Sequence, residues 1–68
     1  MYWRVEFGMD SKGKAPPPVG ARNWSRAVIL AQRWCLSGKG RHATVRRRRD
    51  NAVKIRYWFD GQLQYITY

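Results

Sequence analysis

Residues 2–9 alternate, with Trp3, Val5, Phe7 and Met9 on one side and Tyr2, Arg4 and Glu6 on the other. A period of two marks a half-buried strand, because successive side chains leave a strand on opposite faces. The pattern lapses over residues 10–22, where Gly13, Gly20 and the run Pro16-Pro17-Pro18 predict an exposed loop with a short polyproline II stretch. That loop also carries Lys12, Lys14 and Arg22. From Asn23 the period lengthens to that of a helix. Asn23 suits an N-cap, Gly38 with Gly40 suits a stop, and a helix is predicted over residues 24–37. Steps of 100° gather Trp24, Ala27, Val28, Ala31, Trp34 and Cys35 on one arc, which should lie on a sheet. The opposite arc holds Arg26, Gln32 and Arg33, but also Ile29 and Leu36 on one stripe. Those two aliphatics read either as a partner surface or as a patch shielded by the long loop.

Past the glycines, Ala43 and Val45 alternate with His42 and Thr44 before the chain enters Arg46-Arg47-Arg48-Arg49. Asp50-Asn51 makes a turn, since both residues tolerate left-handed conformations. Residues 52–59 form the clearest strand, with Val53, Ile55, Tyr57 and Phe59 facing one way and Lys54, Arg56 and Trp58 the other. Asp60-Gly61 is a strong hairpin dipeptide, and residues 62–68 return as a last strand. The expected fold is α+β: one βαβββ domain over residues 1–68, an antiparallel sheet of three or four strands with one helix packed on one face.

Register decides which side chains share a face. A two-residue connection after Arg49 would draw Arg46 and Arg48 towards the core, opposite Ile55 and Val53. A three-residue connection over residues 50–52 aligns Val45 with Tyr57 and leaves both arginines outside, and this is the register expected. At Asp60-Gly61, a two-residue turn places Leu63 and Tyr65 beside Trp58 and Arg56 and sends Ile66 and Tyr68 to the core; a bulged three-residue turn exchanges the two sets. Either way an aromatic joins the basic side.

Charge then changes the picture. The chain has 14 Lys and Arg against 4 Asp and Glu, a formal net charge of +10 at pH 7 and a sequence pI near 10.9. With 44% hydrophobic and 15% aromatic residues it is too apolar for a disordered basic tail. A domain of this length buries only about 60% of its unfolded surface, which leaves no room for a deep cofactor cleft. No cofactor is expected. The single cysteine, Cys35, excludes an internal disulfide framework and any multi-cysteine metal site, and fits a reducing compartment. The longest apolar run, Ala27-Val28-Ile29-Leu30-Ala31, falls far short of the roughly 18 residues a membrane helix needs. Met1 leads straight into strand-like residues rather than a secretory signal, so a cytoplasmic location without membrane contact is expected.

Candidate chemistry is thin. Of the four carboxylates, Asp50 and Asp60 serve turns, Asp10 opens the loop, and Glu6 stands alone on its strand, so no acid–base pair converges. His42 is the only histidine and lacks the three or four ligands a zinc site needs. Cys35 lies on the apolar arc, where a small buried hydrophobe is the expected role. Gly38-Lys39-Gly40 lacks the rest of a phosphate-loop motif. An enzyme is not expected, nor a metal site.

The specific feature is basic and aromatic interleaving. Arg46, Arg48, Lys54, Arg56, Trp58 and Tyr65 are expected to share the solvent face of the sheet, with His42 and Thr44 at one end. Arg47 and Arg49 then lie at its edge or near the turn, and Lys39 and Arg41 extend the positive field past the helix end. Guanidinium groups bind phosphate bidentately, and an exposed ring stacks on an unpaired base for about 1–3 kcal/mol. Residues 39–56 hold nine basic residues, His42 included, and one acid, Asp50. Self-repulsion at this density is relieved by an anionic partner, which points to DNA, RNA or an acidic protein surface. Ile29 and Leu36, flanked by Arg26 and Arg33, form a second candidate surface for a protein partner or a homodimer.

A leading strand, the N-capped helix opening Asn23-Trp24-Ser25-Arg26-Ala27-Val28-Ile29-Leu30-Ala31, a glycine, a Thr44-Val45-Arg46 strand and two hairpins ending in aromatics resemble the small phage proteins that include some anti-CRISPR inhibitors. The likeness spans residues 2–9 and 23–68. It implies a phage or mobile-element protein in a bacterial host cell, one that docks on a nucleoprotein defence complex and blocks DNA binding or nuclease recruitment. No individual functional residue carries over from it.

Overall fold

A computed structural model describes residues 2–9, 13–38 and 41–68. Met1, Asp10, Ser11, Lys12, Lys39 and Gly40 therefore lie outside the described residues. The alternating segment at the start becomes β1 (Trp3–Gly8), with Val5 fully buried and Trp3 and Phe7 packed against the core. The predicted loop contains a strand of its own. β2 (Val19–Ala21) pairs antiparallel with β1, setting Trp3 opposite Ala21 and Val5 opposite Val19, and Ala21 enters the core. Three residues carry no readable period, and the prolines before them suit an edge that needs few ladder donors. Residues 13–18 remain exposed and irregular.

α1 (Trp24–Leu36) starts and stops as its caps dictate. Asn23 is extended, at φ −134° and ψ 164°, and its Oδ1 accepts the Arg26 amide at 2.8 Å. Ser37 closes the last turn, donating its amide to Arg33 O at 3.1 Å and its hydroxyl to Trp34 O at 2.6 Å. The buried positions Ala27, Ala31 and Cys35 recur every four residues, so the smallest side chains face the sheet. They meet Val5, Ala43 and Val45, which lets the helix lie close over β1 and β3 (His42–Arg47). Large rings stand at the two ends of this small core. Trp24 meets Trp3 edge-on at 4.8 Å, and Trp34 meets Phe7 at 5.5 Å while donating Nε1 to Gly8 O at 3.1 Å. Such ring pairs contribute about 0.5–1.5 kcal/mol each beyond their buried area.

β4 (Val53–Phe59) and β5 (Leu63–Thr67) complete one antiparallel sheet in the order β2-β1-β3-β4-β5. The domain is therefore α+β with one helix on one face, as expected, but its sheet has five strands rather than three or four. No helix among the described residues is long and apolar enough to cross a membrane.

Both hairpin registers carry corrections. Val45 lies opposite Ile55 rather than Tyr57. The expected three-residue connection is replaced by four residues, Arg48, Arg49, Asp50 and Asn51, closed by the Arg47 amide donating to Ala52 O at 2.8 Å. Asn51 takes a left-handed φ of 62°, and Asp50 accepts the Ala52 amide at 3.2 Å. The ladder then shifts between Val45 and Arg46, so that Arg46 faces Val53 and Lys54 is the extra residue of a bulge, which turns Val53 to the outer face beside Arg46 instead of to the core where it was expected. The register differs by two residues from the expected one. An even offset preserves faces, so Arg46 stays outside, whereas Arg48 leaves the sheet for the turn.

At the last hairpin Asp60, Gly61 and Gln62 form the three-residue alternative, with Gly61 at φ 108°, a conformation other residues resist. Phe59 pairs with Leu63 and Tyr57 with Tyr65. Tyr65 is thereby placed on the helix side, 6.0 Å from the Tyr57 ring, and not among the arginines. Ile66 and Tyr68 take the outer positions instead.

Candidate nucleic-acid interface

The helix covers one face of the sheet and leaves the other open. Strand alternation, with the bulge at Val53 and Lys54, places Arg4 and Glu6 of β1, His42, Thr44 and Arg46 of β3, Val53, Lys54, Arg56 and Trp58 of β4, and Gln64 and Ile66 of β5 on this outer face, with Tyr68 just beyond β5. Arg56 is its centre, in register with Thr44 on one side and Ile66 on the other. Three shallow depressions meet at that side chain. The largest, about 420 Å³, is lined by His42, Arg56, Trp58, Ile66 and Tyr68, with Tyr57 beneath. Trp58 is 38% exposed and Tyr68 60%.

Charge on this face is partly spent. Glu6 accepts Arg46 Nε at 2.7 Å and lies 3.6 Å from Arg4 Nε, while the Arg46 guanidinium also donates to Asn51 O at 3.1 Å. Arg56 and Lys54 have no ion-pair partner among the described residues. The His42 ring lies against Gly8, its partner in the β1–β3 register, and a Cβ there would overlap it.

The arginine run is thus divided by its geometry. Arg46 belongs to the sheet face. Arg47 grips Asp50 with both ends of its fork, Nε at 3.0 Å and Nη2 at 2.6 Å. That hydrogen bonding, with the Ala52 amide, holds the Asp50 carboxyl well below the usual carboxylate range and raises Arg47. Arg48 and Arg49 point from the exposed turn, and with Tyr2, Trp3 and Arg47 they line an open depression of about 670 Å³ at the end of the sheet. The Arg48 amide donates to Tyr2 O at 3.0 Å, which ties the turn to the start of β1.

Other predicted contributors lie elsewhere. Arg41 stacks over Trp34 at 4.0 Å and hydrogen-bonds Ser37 Oγ, at the helix end rather than on the outer face. Lys39 is outside the described residues. Arg26, Ile29, Arg33 and Leu36 all lie exposed on the outward side of α1, Ile29 by 47% and Leu36 by 56%, so the loop does not shield the two aliphatics. Cys35 is fully buried, and burial pushes its thiol up to about 11, which disfavours the thiolate a nucleophile or metal ligand requires. No group of three or more His, Cys, Asp or Glu among the described residues is placed to hold a metal ion.

Sequence reasoning named Tyr65 and left Ile66 and Tyr68 to the alternative three-residue turn, and it missed Tyr2 as a neighbour of the cations. The signal for Ile66 and Tyr68 was present in Leu63-Gln64-Tyr65. Its one polar residue can face solvent beside Trp58, with Leu63 following Phe59 inward, only if the turn has three residues. Compared with protein-family models, curated proteins and solved structures, the chain has no significant match.

Proposed function

We propose that this chain is a non-enzymatic nucleic-acid-binding protein that uses the helix-free face of its sheet. The observation that supports this reading is the juxtaposition of Arg56 and Lys54, cations without ion partners among the described residues, with the exposed rings of Trp58 and Tyr68. Cations take phosphates while rings take bases, a division of labour that neither a catalytic cleft nor a plain solvated surface needs. Binding to DNA or RNA should fall steeply with salt, and Arg56→Glu with Lys54→Glu should abolish it. Retention of affinity by that double variant at moderate salt counts against the reading.

A second reading draws on the uncovered stripe of Ile29 and Leu36 between Arg26 and Arg33. Here the helix docks on an acidic or nucleoprotein complex of a bacterial host cytoplasm, as the likeness to phage-encoded inhibitors implies, and blocks DNA binding or nuclease recruitment there. Co-purification from bacterial lysate separates the two. A partner retained after nuclease treatment favours the inhibitor, and one lost with the nucleic acid favours direct binding. Sedimentation at several concentrations tests whether the same stripe instead forms a homodimer.

A further inference from the structure

We infer that the ligand of the outer face is single-stranded nucleic acid, its unpaired bases stacking on Trp58 and Tyr68 while Arg56, Lys54, Arg48 and Arg49 take phosphates. The inference rests on the nucleic-acid reading and narrows its substrate class. Its first support is the balance of charge and ring surface. Glu6 occupies Arg46 and approaches Arg4, and Asp50 occupies Arg47, so the cations left to phosphates along the sheet and its turn are few. Meanwhile Trp58, Ile66 and Tyr68 are 38%, 49% and 60% exposed around one depression. A duplex presents dense phosphate and hides the faces of its bases, and would leave this apolar surface idle. An unpaired strand offers few phosphates and many base faces.

The shape of the face gives the second support. Entry into a duplex groove takes a protruding helix or two-stranded ribbon, and α1 lies on the opposite side of the sheet. The one ribbon end rich in arginine is the β3–β4 turn with Arg48 and Arg49. Trp58 stands five residues along β4 from Val53 at that end, roughly 17 Å away at the rise of a strand. A groove taken by the turn would therefore not reach it. An open strand laid along β4 passes Lys54, Arg56 and Trp58 in order.

The test is a fluorescence anisotropy titration with labelled oligonucleotides of about 12 nucleotides, as single-stranded DNA, single-stranded RNA and the blunt DNA duplex, over a salt series. We expect at least one single strand to bind about tenfold or more tightly than the duplex, with a salt slope near −3 from about four phosphate contacts. Trp58→Ala should weaken single-strand binding by about tenfold and leave duplex binding unchanged, while Trp58→Phe keeps most of the affinity. Trp58 lies outside the core, and circular dichroism checks that each variant folds. Duplex affinity equal to or above that of both single strands overturns the inference and leaves the broader reading standing. So does unchanged single-strand affinity in a folded Trp58→Ala. Failure of all three oligonucleotides to bind at low salt overturns the broader reading with it.

Discussion

Glu6→Gln should make the protein less stable and a better binder. The carboxylate lies 2.7 Å from Arg46 Nε and 3.6 Å from Arg4 Nε, in side chains about one-third exposed. Gln keeps an acceptor for Arg46 but removes the charge. A pair this open to solvent contributes about 0.5–1 kcal/mol, so the urea midpoint should fall by about 0.3–1 M. Binding moves the other way. A phosphate that engages Arg46 would lie roughly 6 Å from the Glu6 carboxylate, where repulsion is about 0.7–2.8 kcal/mol between the dielectric of water and that of a protein surface. Screening at physiological salt, with a Debye length of about 8 Å, reduces this by about half, leaving an affinity gain of roughly two- to tenfold. The salt slope should steepen by about 0.7 as Arg46 gains a phosphate. Anisotropy titrations of both proteins across salt, beside urea unfolding, measure the two effects. Equal or weaker binding by a folded Glu6→Gln at every salt concentration would falsify the assignment of this face.

Other outcomes follow from single features. Replacing Arg48 and Arg49 by Glu should weaken single-strand binding and flatten the salt slope by about 1.4, since each arginine accounts for one phosphate. Its unfolding midpoint should be unchanged, because both side chains are exposed. Asn23→Ala removes the acceptor of the Arg26 amide and should cost about 1 kcal/mol in urea unfolding. Cys35 titrates at about 11 in the fold, raised by burial from 9.0. A raised pKa means its contribution is fully present below pH 9 and is lost as pH climbs towards 11, by roughly 2–3 kcal/mol. Unfolding midpoints of Cys35→Ala should therefore decline less steeply than those of the parent between pH 9 and 11.

Periodicity carried the local elements because it is a property of neighbouring residues. The helix ends one residue from its predicted limit, since Asn23 and Ser37 act on their own backbone. The half-buried alternation of residues 2–9 survives in β1, and that of residues 52–59 survives in β4 from Ile55 to Phe59, the bulge having turned Val53 outward. β2 was hidden because Val19, Gly20 and Ala21 have no pattern of their own; their pairing with β1 is what makes them a strand. The candidate face was legible in part. Arg46, Arg56 and Trp58 fall on it because an even register offset does not move side chains between faces, and Lys54 lies in the bulge opposite Arg46. Tyr65 was displaced by Tyr68 because one more turn residue at Gln62 exchanges the faces of everything after it.

Which residues are apolar, where the helix is capped and where the charge accumulates are thus written in the chain itself, since short-range sterics and composition decide them. Which cations remain free is not. Glu6 reaches Arg46 from forty residues away, Asp50 claims Arg47 only through the four-residue turn, and Arg41 is taken by Trp34. Those pairings depend on strand order and register, which only the packed sheet sets. A run of four arginines that reads as one feature becomes a sheet residue, a turn clamp and two exposed turn cations.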